Sequence, residues 1–121
     1  MSTATLSPTE VAYLSEGRRL ARVGTADENG RPHVTPVGMW RYISDPGVVE
    51  ITGRDFASTR KYRNVRTNPQ AAVVVDDVAP GEGWHPRGIM LEGSAEALEN
   101  DGRDGSPVIR ITPDRVVSWG L

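Results

Sequence analysis

The chain has 121 residues, of which 37% are hydrophobic and 25% are charged, and this length and composition indicate a single globular domain spanning residues 1–121. The absence of cysteine excludes thiolate nucleophiles, iron–sulfur clusters and disulfides, and a formal net charge of −2 gives no general attraction for nucleic acid or an anionic membrane. No stretch approaches the length of a membrane-spanning segment and no signal-peptide pattern opens the chain, so we expect a cytoplasmic protein.

The first half of the chain is predicted to form one helix and three strands. Ser7-Pro8-Thr9-Glu10 is a capping box with proline at the first helical position, which predicts a helix from Pro8 to about Glu16. Alternation of apolar and polar residues then predicts strands over residues 20–26, 32 to about 42, and 48–52. The Asn29-Gly30 pair between the first two strands is typical of a hairpin turn.

The second half is predicted to begin with a helix over Phe56–Thr67, ended by Asn68-Pro69. The apolar run Ala71–Val75 is typical of a strand buried on both faces. Further strand segments are predicted over residues 87–98, 108–111 and 116–119, the last two interrupted by Pro113-Asp114. These elements predict a mainly β fold, a six-stranded antiparallel barrel with two short helices.

No catalytic residue can be named from the sequence. His33 and His85 are the only histidines, and neither has the spacing of a metal site or a catalytic triad, so we interpret both as surface or hydrogen-bonded residues. The neighbours Asp76 and Asp77 end a strand and point to opposite faces, which disfavours a paired acid. The sequence therefore predicts no metal site and leaves the catalytic residues unknown.

One segment does carry a candidate binding chemistry, the start of the second helix. Ser58 and Thr59 precede Arg60 and Lys61, and Asn64 follows one turn after Lys61, on the same predicted helix face. The free N–H groups and positive dipole at a helix start favour a phosphate, and the same dipole disfavours cations unless an anion lies beside them. A solvated basic face that pairs with nearby aspartates explains the pattern equally well.

The order of motifs resembles the flavin-binding split barrels of the pyridoxamine 5′-phosphate oxidase-like superfamily, and in particular its short branch that uses the deazaflavin coenzyme F420. The resemblance covers about residues 11–121 and is carried by Arg31–Gly38, Thr59–Arg66, Asn68–Asp77 and Arg115–Leu121. It implies a six-stranded split barrel that binds F420, with FMN as the alternative cofactor. The long C-terminal extension of the parent oxidases is missing, which argues against oxidation of a vitamin substrate.

The resemblance also implies roles for individual residues. The cofactor phosphate would be held by Arg60 and Lys61, with Ser58 and Thr59 as donors and Asn64 in support. The ring system would lie along the second and third strands, against Val34, Thr35, Pro36, Val37, Thr52 and Gly53. In the superfamily the site lies between two subunits, so Trp84 and Arg87 are expected to come from the partner of a homodimer.

The expected activity is hydride transfer between the reduced deazaflavin and an unsaturated small molecule. Two alternatives remain open, an FMN-dependent oxidoreductase and a non-catalytic protein that binds a flavin or deazaflavin. A third, binding of single-stranded nucleic acid through the face formed by residues 60–66, is opposed by the net negative charge, and we expect no nucleic-acid or membrane partner. The apolar end of the last strand, Val116–Trp119, independently favours a homodimer.

Overall fold

The computed structural model describes residues 3–121 and shows one seven-stranded antiparallel sheet that curls around an apolar core. The strands are β1 (Ala21–Ala26), β2 (Pro32–Val37), β3 (Trp40–Ile43), β4 (Val48–Ile51), β5 (Gln70–Val78), β6 (Pro86–Leu98) and β7 (Val108–Trp119). Their spatial order is β2-β1-β5-β6-β7-β4-β3, and the helices α1 (Pro8–Ser15) and α2 (Arg60–Thr67) pack on the sheet. The prediction of a mainly β, antiparallel fold with two short helices is confirmed.

The capping box of α1 forms as the sequence predicts. The Ser7 hydroxyl accepts a hydrogen bond from the Glu10 N–H at 3.1 Å, and a Glu10 carboxylate oxygen accepts one from the Ser7 N–H at 2.8 Å. The other Glu10 oxygen accepts a hydrogen bond of 2.6 Å from the Ser118 hydroxyl on β7. The side chain that caps the helix therefore also attaches it to the sheet.

The prediction of six strands is wrong, because the strand predicted over residues 32–42 divides at Gly38 and Met39. The hairpin of β1 and β2 forms around the predicted turn. However, β2 ends at Val37, where its pairing with β1 stops, and a separate strand, β3, starts at Trp40. The Met39 carbonyl accepts a hydrogen bond from the Thr52 N–H, which directs β3 towards β4. As a result β2 and β3 lie at opposite edges of the sheet.

The second helix begins later than predicted. Phe56–Ser58 forms a single 3₁₀ turn, and Asp55 before it has a left-handed backbone conformation with φ of 49°. Thr59 is the N-cap of α2, and its side chain accepts a hydrogen bond from the Tyr62 N–H. Because Thr59 is extended, the helical segment predicted over residues 56–67 is interrupted there and α2 starts at Arg60.

Two of the predicted strands differ from the structure in burial and in length. In β5 the side chains of Ala71, Val73 and Val75 are buried while those between them are only half-buried, so the prediction of burial on both faces is wrong for this chain. The interruption predicted at Pro113 is also wrong, because β7 runs through it. The proline is accommodated by a bulge where the β6–β7 register shifts between Glu92 and Gly93.

The inner face of the sheet surrounds the core, which both helices complete. Tyr13 and Leu14 of α1 and Tyr62 and Val65 of α2 are buried against it, together with alternate residues of all the strands except β3. Within residues 3–121 no three histidine or acidic side chains are grouped to hold a metal ion, and no helix is long and apolar enough to cross a membrane.

Candidate functional site

The start of α2 lies against the hairpin of β1 and β2, through a buried polar contact. Asn64 Nδ2 donates a hydrogen bond of 3.1 Å to Thr25 Oγ1, and both side chains are buried. Thr25 on β1 is directly opposite His33 on β2, and cross-strand neighbours have Cβ atoms about 5 Å apart. The contact therefore holds α2 and its cationic first turn next to His33.

Two inward-facing side chains of β2 leave buried polar atoms without partners. His33, Thr35 and Val37 alternate on the side of the strand that faces the core. Within residues 3–121, His33 Nδ1 and Thr35 Oγ1 are both buried and have no hydrogen-bond partner. Since buried polar atoms in native proteins nearly always have a partner, a polar ligand fits this position.

The charges of α2 act on His33. Burial and the nearby cations Arg60 and Lys61 lower the pKa of the His33 imidazole below its usual value of 6.5. Burial also lowers the pKa of Lys61 below its usual value of 10.5. The site is therefore positively charged and partly shielded from water, which is the environment that strengthens binding of an anion.

Lys61 and Gly53 both lie close to the ring of Phe56. The Lys61 ammonium lies 5.8 Å from the centre of the Phe56 ring, and a Cβ on Gly53 would lie 3.3 Å from that ring. The end of β4 and the start of α2 thus share one surface. The neighbouring Thr52 hydroxyl donates a hydrogen bond of 3.0 Å to the Pro107 carbonyl.

The two hydroxyls that precede α2 are engaged in local contacts. Thr59 Oγ1 donates to the Phe56 carbonyl at 2.7 Å and accepts from the Tyr62 N–H at 3.3 Å. Ser58 Oγ donates to Asp55 Oδ1 at 3.3 Å. Thr59 is therefore the helix cap, and of the two hydroxyls only that of Ser58 is exposed with a single long hydrogen bond.

Asn64 lies on the buried face of α2, with Tyr62 and Val65, and is only 5% exposed. The sequence grouped it with Lys61, because residues three apart share a helix face. The buried hydroxyl of Thr25 instead engages the amide on the inner side of the helix. Tyr62 is also buried, and its hydroxyl has no partner within the described residues.

The four predicted residues of β2 divide between its two faces. Thr35 and Val37 face inward, whereas Val34 and Pro36 are exposed, Val34 by 68%. Pro32 and Pro36 have no N–H to donate, and backbone groups alternate in direction along a strand, so the Val34 N–H points to the unpaired edge of the sheet. This edge leaves a backbone donor for a ligand between the two prolines.

Arg87 is held within a cluster around Asp77. It donates to Asp77 from Nε at 2.7 Å and from Nη2 at 3.1 Å, and Arg19 donates to the same carboxylate. The Tyr13 hydroxyl donates to Asp77 at 2.8 Å, and the guanidiniums of Arg19 and Arg87 lie 3.9 and 5.2 Å from the centre of the Tyr13 ring. The cluster fastens α1 to β5 and β6.

Trp84 lies in the connection between β5 and β6 and is 77% exposed. No side chain among residues 3–121 buries it. The prediction that Trp84 and Arg87 reach the site of a partner subunit stays a prediction.

His33 is the candidate site residue that the sequence analysis missed. It was interpreted as a surface or hydrogen-bonded side chain because it has neither triad nor metal spacing. The available signal was its alternation with Thr35 and Val37, which places it on the inward face of an edge strand.

The comparison with protein families decides the relationship of this chain to others. The family model described as "Pyridoxamine 5′-phosphate oxidase" matches residues 7–119. The chain belongs to this family. The resemblance that the motifs of β2, α2 and β5 indicated is thereby confirmed at the level of the superfamily.

Similar proteins include a curated relative and several solved structures. The relative, "5a,11a-dehydrotetracycline/5a,11a-dehydrooxytetracycline reductase" of Streptomyces rimosus subsp. rimosus, is 38% identical over 117 residues, which are 93% of this chain and 81% of the relative. A putative pyridoxamine 5′-phosphate oxidase of Lactobacillus delbrueckii shares the fold with a TM-score of 0.72 and 20% identity, over 97% of both chains. A structure described as "F420 Reductase" has a TM-score of 0.66 at 19% identity, over 87% of this chain and 94% of the other.

Proposed function

We propose that this protein is an oxidoreductase that uses coenzyme F420 to reduce an unsaturated small molecule. The observation that carries the proposal is the pair of buried, unpartnered polar atoms, His33 Nδ1 and Thr35 Oγ1, beside the cations of α2. Membership in the oxidase family supports a flavin-like cofactor, and the 38% identical relative supports a reductive reaction.

In the proposed binding mode the cofactor phosphate lies at the start of α2. Arg60 and Lys61 provide the charge, and the exposed Ser58 hydroxyl and the first N–H groups of the helix provide donors. Thr59 and Asn64 contribute indirectly, since one caps the helix and the other fastens it to Thr25. The first turn contains no acidic residue that would compete with the phosphate.

The ring system is proposed to lie between the edge of β2 and the end of β4. Side chains and backbone along β2 would contact the ring system, and the end of β4 would let its backbone approach the ring closely. The contacting residues would be Val34, Thr35, Pro36, Val37, Thr52 and Gly53. The partner subunit would contribute Trp84, and Arg87 would act from within its cluster with Asp77. When bound, the reduced deazaflavin supplies a hydride, while the chain holds the acceptor against it and excludes water.

The preference for F420 over FMN rests on the surface around α2. Arg54 and Arg66 are exposed and Arg63 donates to the Ser58 carbonyl at 3.0 Å, so three guanidiniums border the first turn and the helix. An acidic tail such as the glutamates of F420 would be attracted to them, whereas FMN has no such group. FMN remains the alternative cofactor.

A homodimer is part of the proposal. On the outer face of the sheet one cross-strand row consists of Pro36, Arg22, Val74, Met90 and Val117. Four of these five side chains are apolar, and Trp119 lies beside the row, 38% exposed. A surface of this kind is typical of an interface between subunits.

The test compares oxidation of reduced F420 by the protein with binding of F420 to the protein. Purified protein is mixed with reduced F420 and a dehydrotetracycline, the substrate class in the relative's name, and oxidation of the cofactor is followed by absorbance. Oxidation that depends on both the protein and the acceptor supports the proposal. Tight F420 binding without turnover of any unsaturated acceptor would favour the alternative of a non-catalytic cofactor-binding protein.

A further inference from the structure

A cavity lies next to the proposed cofactor site, between β3, β4 and the connection from β6 to β7. Its volume is about 420 Å³, within the range of pockets that bind small molecules. Thr52 and Gly53 at the end of β4 form part of its wall, as do residues 102–106 of the connection. The end of β4 therefore separates this cavity from the cationic start of α2.

The charged group at the base of this cavity is a buried carboxylate between two guanidiniums. Glu50 on β4 is 4% exposed, and Arg41 on β3 and Arg110 on β7 are its cross-strand neighbours. Arg41 donates from Nε at 3.2 Å and Nη2 at 2.7 Å to one carboxylate oxygen. Arg110 donates from the same two nitrogens, at 2.9 and 2.7 Å, to the other.

The group carries one more positive than negative charge. Burial alone would raise the pKa of Glu50, but the hydrogen bonds from Arg41 and Arg110 hold it below its usual value, so the carboxylate is ionised. Arg110 Nη1 faces Asp101 at 3.7 Å, so the Asp101 carboxylate balances this excess charge and the preference for an anion rests on the geometry of Arg41. Neither hydrogen bond from Arg41 to Glu50 uses Nη1, which leaves one end of a fixed guanidinium for a ligand.

The rest of the cavity wall is suited to an apolar body. Met39 and Val108 line it, and Arg103 on the connection adds a second cation. Asp104 opposite Arg103 is ionised, because hydrogen bonds from Ser106 and from the backbone hold its pKa below its usual value, so it offsets the charge of Arg103 and leaves Arg41 as the cation that binds the ligand. A site with a fixed cation at one end and apolar side chains along its wall selects an anion with a hydrophobic body.

We propose that this cavity binds the acceptor, and that the acceptor is a small organic anion whose carboxylate or enolate is held by Arg41 and whose apolar body lies against Met39 and Val108. The assignment of the ligand as the acceptor rests on the proposed function, because it is the position beside Thr52 and Gly53 that places the ligand next to the cofactor. Glu50 is then a positioning residue, because its carboxylate holds the Arg41 guanidinium in a fixed orientation.

The experiment uses the cofactor-free protein and two probes, 2-naphthoate and its neutral analogue 2-naphthamide, in ¹⁵N–¹H NMR titrations. We expect naphthoate to shift amides of residues 39–41, 50–53 and 102–108 and to bind at least about 10-fold more tightly than naphthamide. Shifts located elsewhere, or equal affinity for the two probes, would overturn the proposal.

Two variants test the role of the charge. Arg41→Gln should abolish the preference for naphthoate, and Met39→Glu, at a residue 57% exposed, should weaken naphthoate binding without burying a new charge. Arg115→Gln is the matched control, since it removes an arginine paired with Glu92 on a different pair of strands. A preference for naphthoate that survives in Arg41→Gln, or naphthoate binding that Met39→Glu leaves unchanged, would also refute the assignment.

A final titration separates this proposal from the proposed function. If F420 binds but naphthoate competes with it, the cavity belongs to the cofactor and the acceptor assignment is wrong. If naphthoate binds as expected but neither F420 nor FMN does, the anion site is established and the proposed function fails. Simultaneous binding of F420 and naphthoate supports both.

Discussion

Asn64 and Thr25 are joined by a buried hydrogen bond of 3.1 Å between α2 and β1. This contact determines where the first turn of the helix lies, because Thr25 is also the cross-strand neighbour of His33. The cationic helix start and the inward face of β2 are thereby held together before any ligand binds. Together with the burial of Tyr62 and Val65 against the core, this contact positions the proposed phosphate site.

Asn64→Leu should therefore destabilise the protein and weaken cofactor binding together. The variant leaves the Thr25 hydroxyl buried without its partner, which costs about 1–3 kcal/mol of unfolding free energy. Urea unfolding measures the loss. In the double variant with Thr25→Val, both polar groups are gone and much of the stability should return; a double variant no more stable than Asn64→Leu would contradict the account of this contact.

Lys61→Ala should weaken cofactor binding far more than it affects the fold. Loss of a charge-assisted contact to phosphate costs about 1.5–3 kcal/mol, roughly 10- to 100-fold in Kd. The apo protein should melt at an unchanged or slightly higher temperature, because the variant removes a cation from the first turn of a helix. Arg66→Ala in the last turn is the control, measured with FMN because FMN has no acidic tail: it should lower apo stability slightly and leave the affinity for FMN nearly unchanged.

The pH dependence of stability should reflect the cluster of Tyr13 and Asp77. Hydrogen bonds from Arg87, Tyr13 and Arg19 hold the pKa of Asp77 well below its usual 3.8, so its contribution is complete above that pH and is lost as the pH falls further. Burial and the bond to Asp77 raise the pKa of Tyr13 from 10.0 to about 12, so its contribution is complete below pH 10 and is lost between 10 and 12.

These two shifts predict a plateau of unfolding free energy between about pH 4 and 10 for this cluster. Chemical unfolding of the parent and of Tyr13→Phe across pH 8–12 measures the alkaline side. The variant should be less stable at neutral pH, and the difference should shrink as the pH rises to 12. A difference that stays constant through this range would show that Tyr13 does not ionise as described.

His33 should titrate at a pH below 6.5 in the free protein and at a higher pH with a phosphate bound. Burial and the cations Arg60 and Lys61 disfavour the imidazolium in the absence of an anion. An anion between the three groups reverses the charge effect. Because the chain has only two histidines, proton NMR in a His85→Gln background isolates the His33 signal; a midpoint that FMN and F420 both leave unmoved counts against a phosphate at this position.

The outer face of the sheet should be the dimer interface. Val117→Glu places a carboxylate within the apolar row and should yield a particle of 13.1 kDa where the parent gives twice that mass. Asn29→Glu, in the exposed turn between β1 and β2, introduces the same charge and should remain dimeric. Light scattering that finds the parent monomeric at micromolar concentration would refute the prediction.

Local signals in the sequence predicted most of the fold. The Ser7 capping box defined α1, and the Asn29-Gly30 pair defined the first hairpin, since each depends on residues within a few positions. The break at Gly38 was missed because the apolar alternation continues across it, and only the pairing of Trp40 with Ile51 reveals the second strand. Strand pairing over long sequence distances leaves no such local signal.

The candidate site was predicted in part for the same reason. Arg60 and Lys61 follow a recognisable helix start, so their position could be read from neighbouring residues. The Asn64 side chain faces inward because its amide donates to the hydroxyl of Thr25, 39 residues earlier in the chain. The burial of His33 Nδ1 without a hydrogen-bond partner likewise depends on packing between elements that are distant in sequence. The Glu50 group joins three strands that are distant in sequence, and no spacing rule predicts it.

The relative affinity of the apo protein for three cofactors tests the proposed function more directly than any variant. Fluorescence titration of the purified apo protein with F420, FMN and riboflavin compares an acidic tail with phosphate, phosphate alone, and neither. We expect F420 to bind more tightly than FMN, FMN to bind more tightly than riboflavin, and Lys61→Ala to weaken binding of the first two only. FMN binding at least as tightly as F420 would contradict the deazaflavin assignment, and failure of all three to bind would contradict the proposed function.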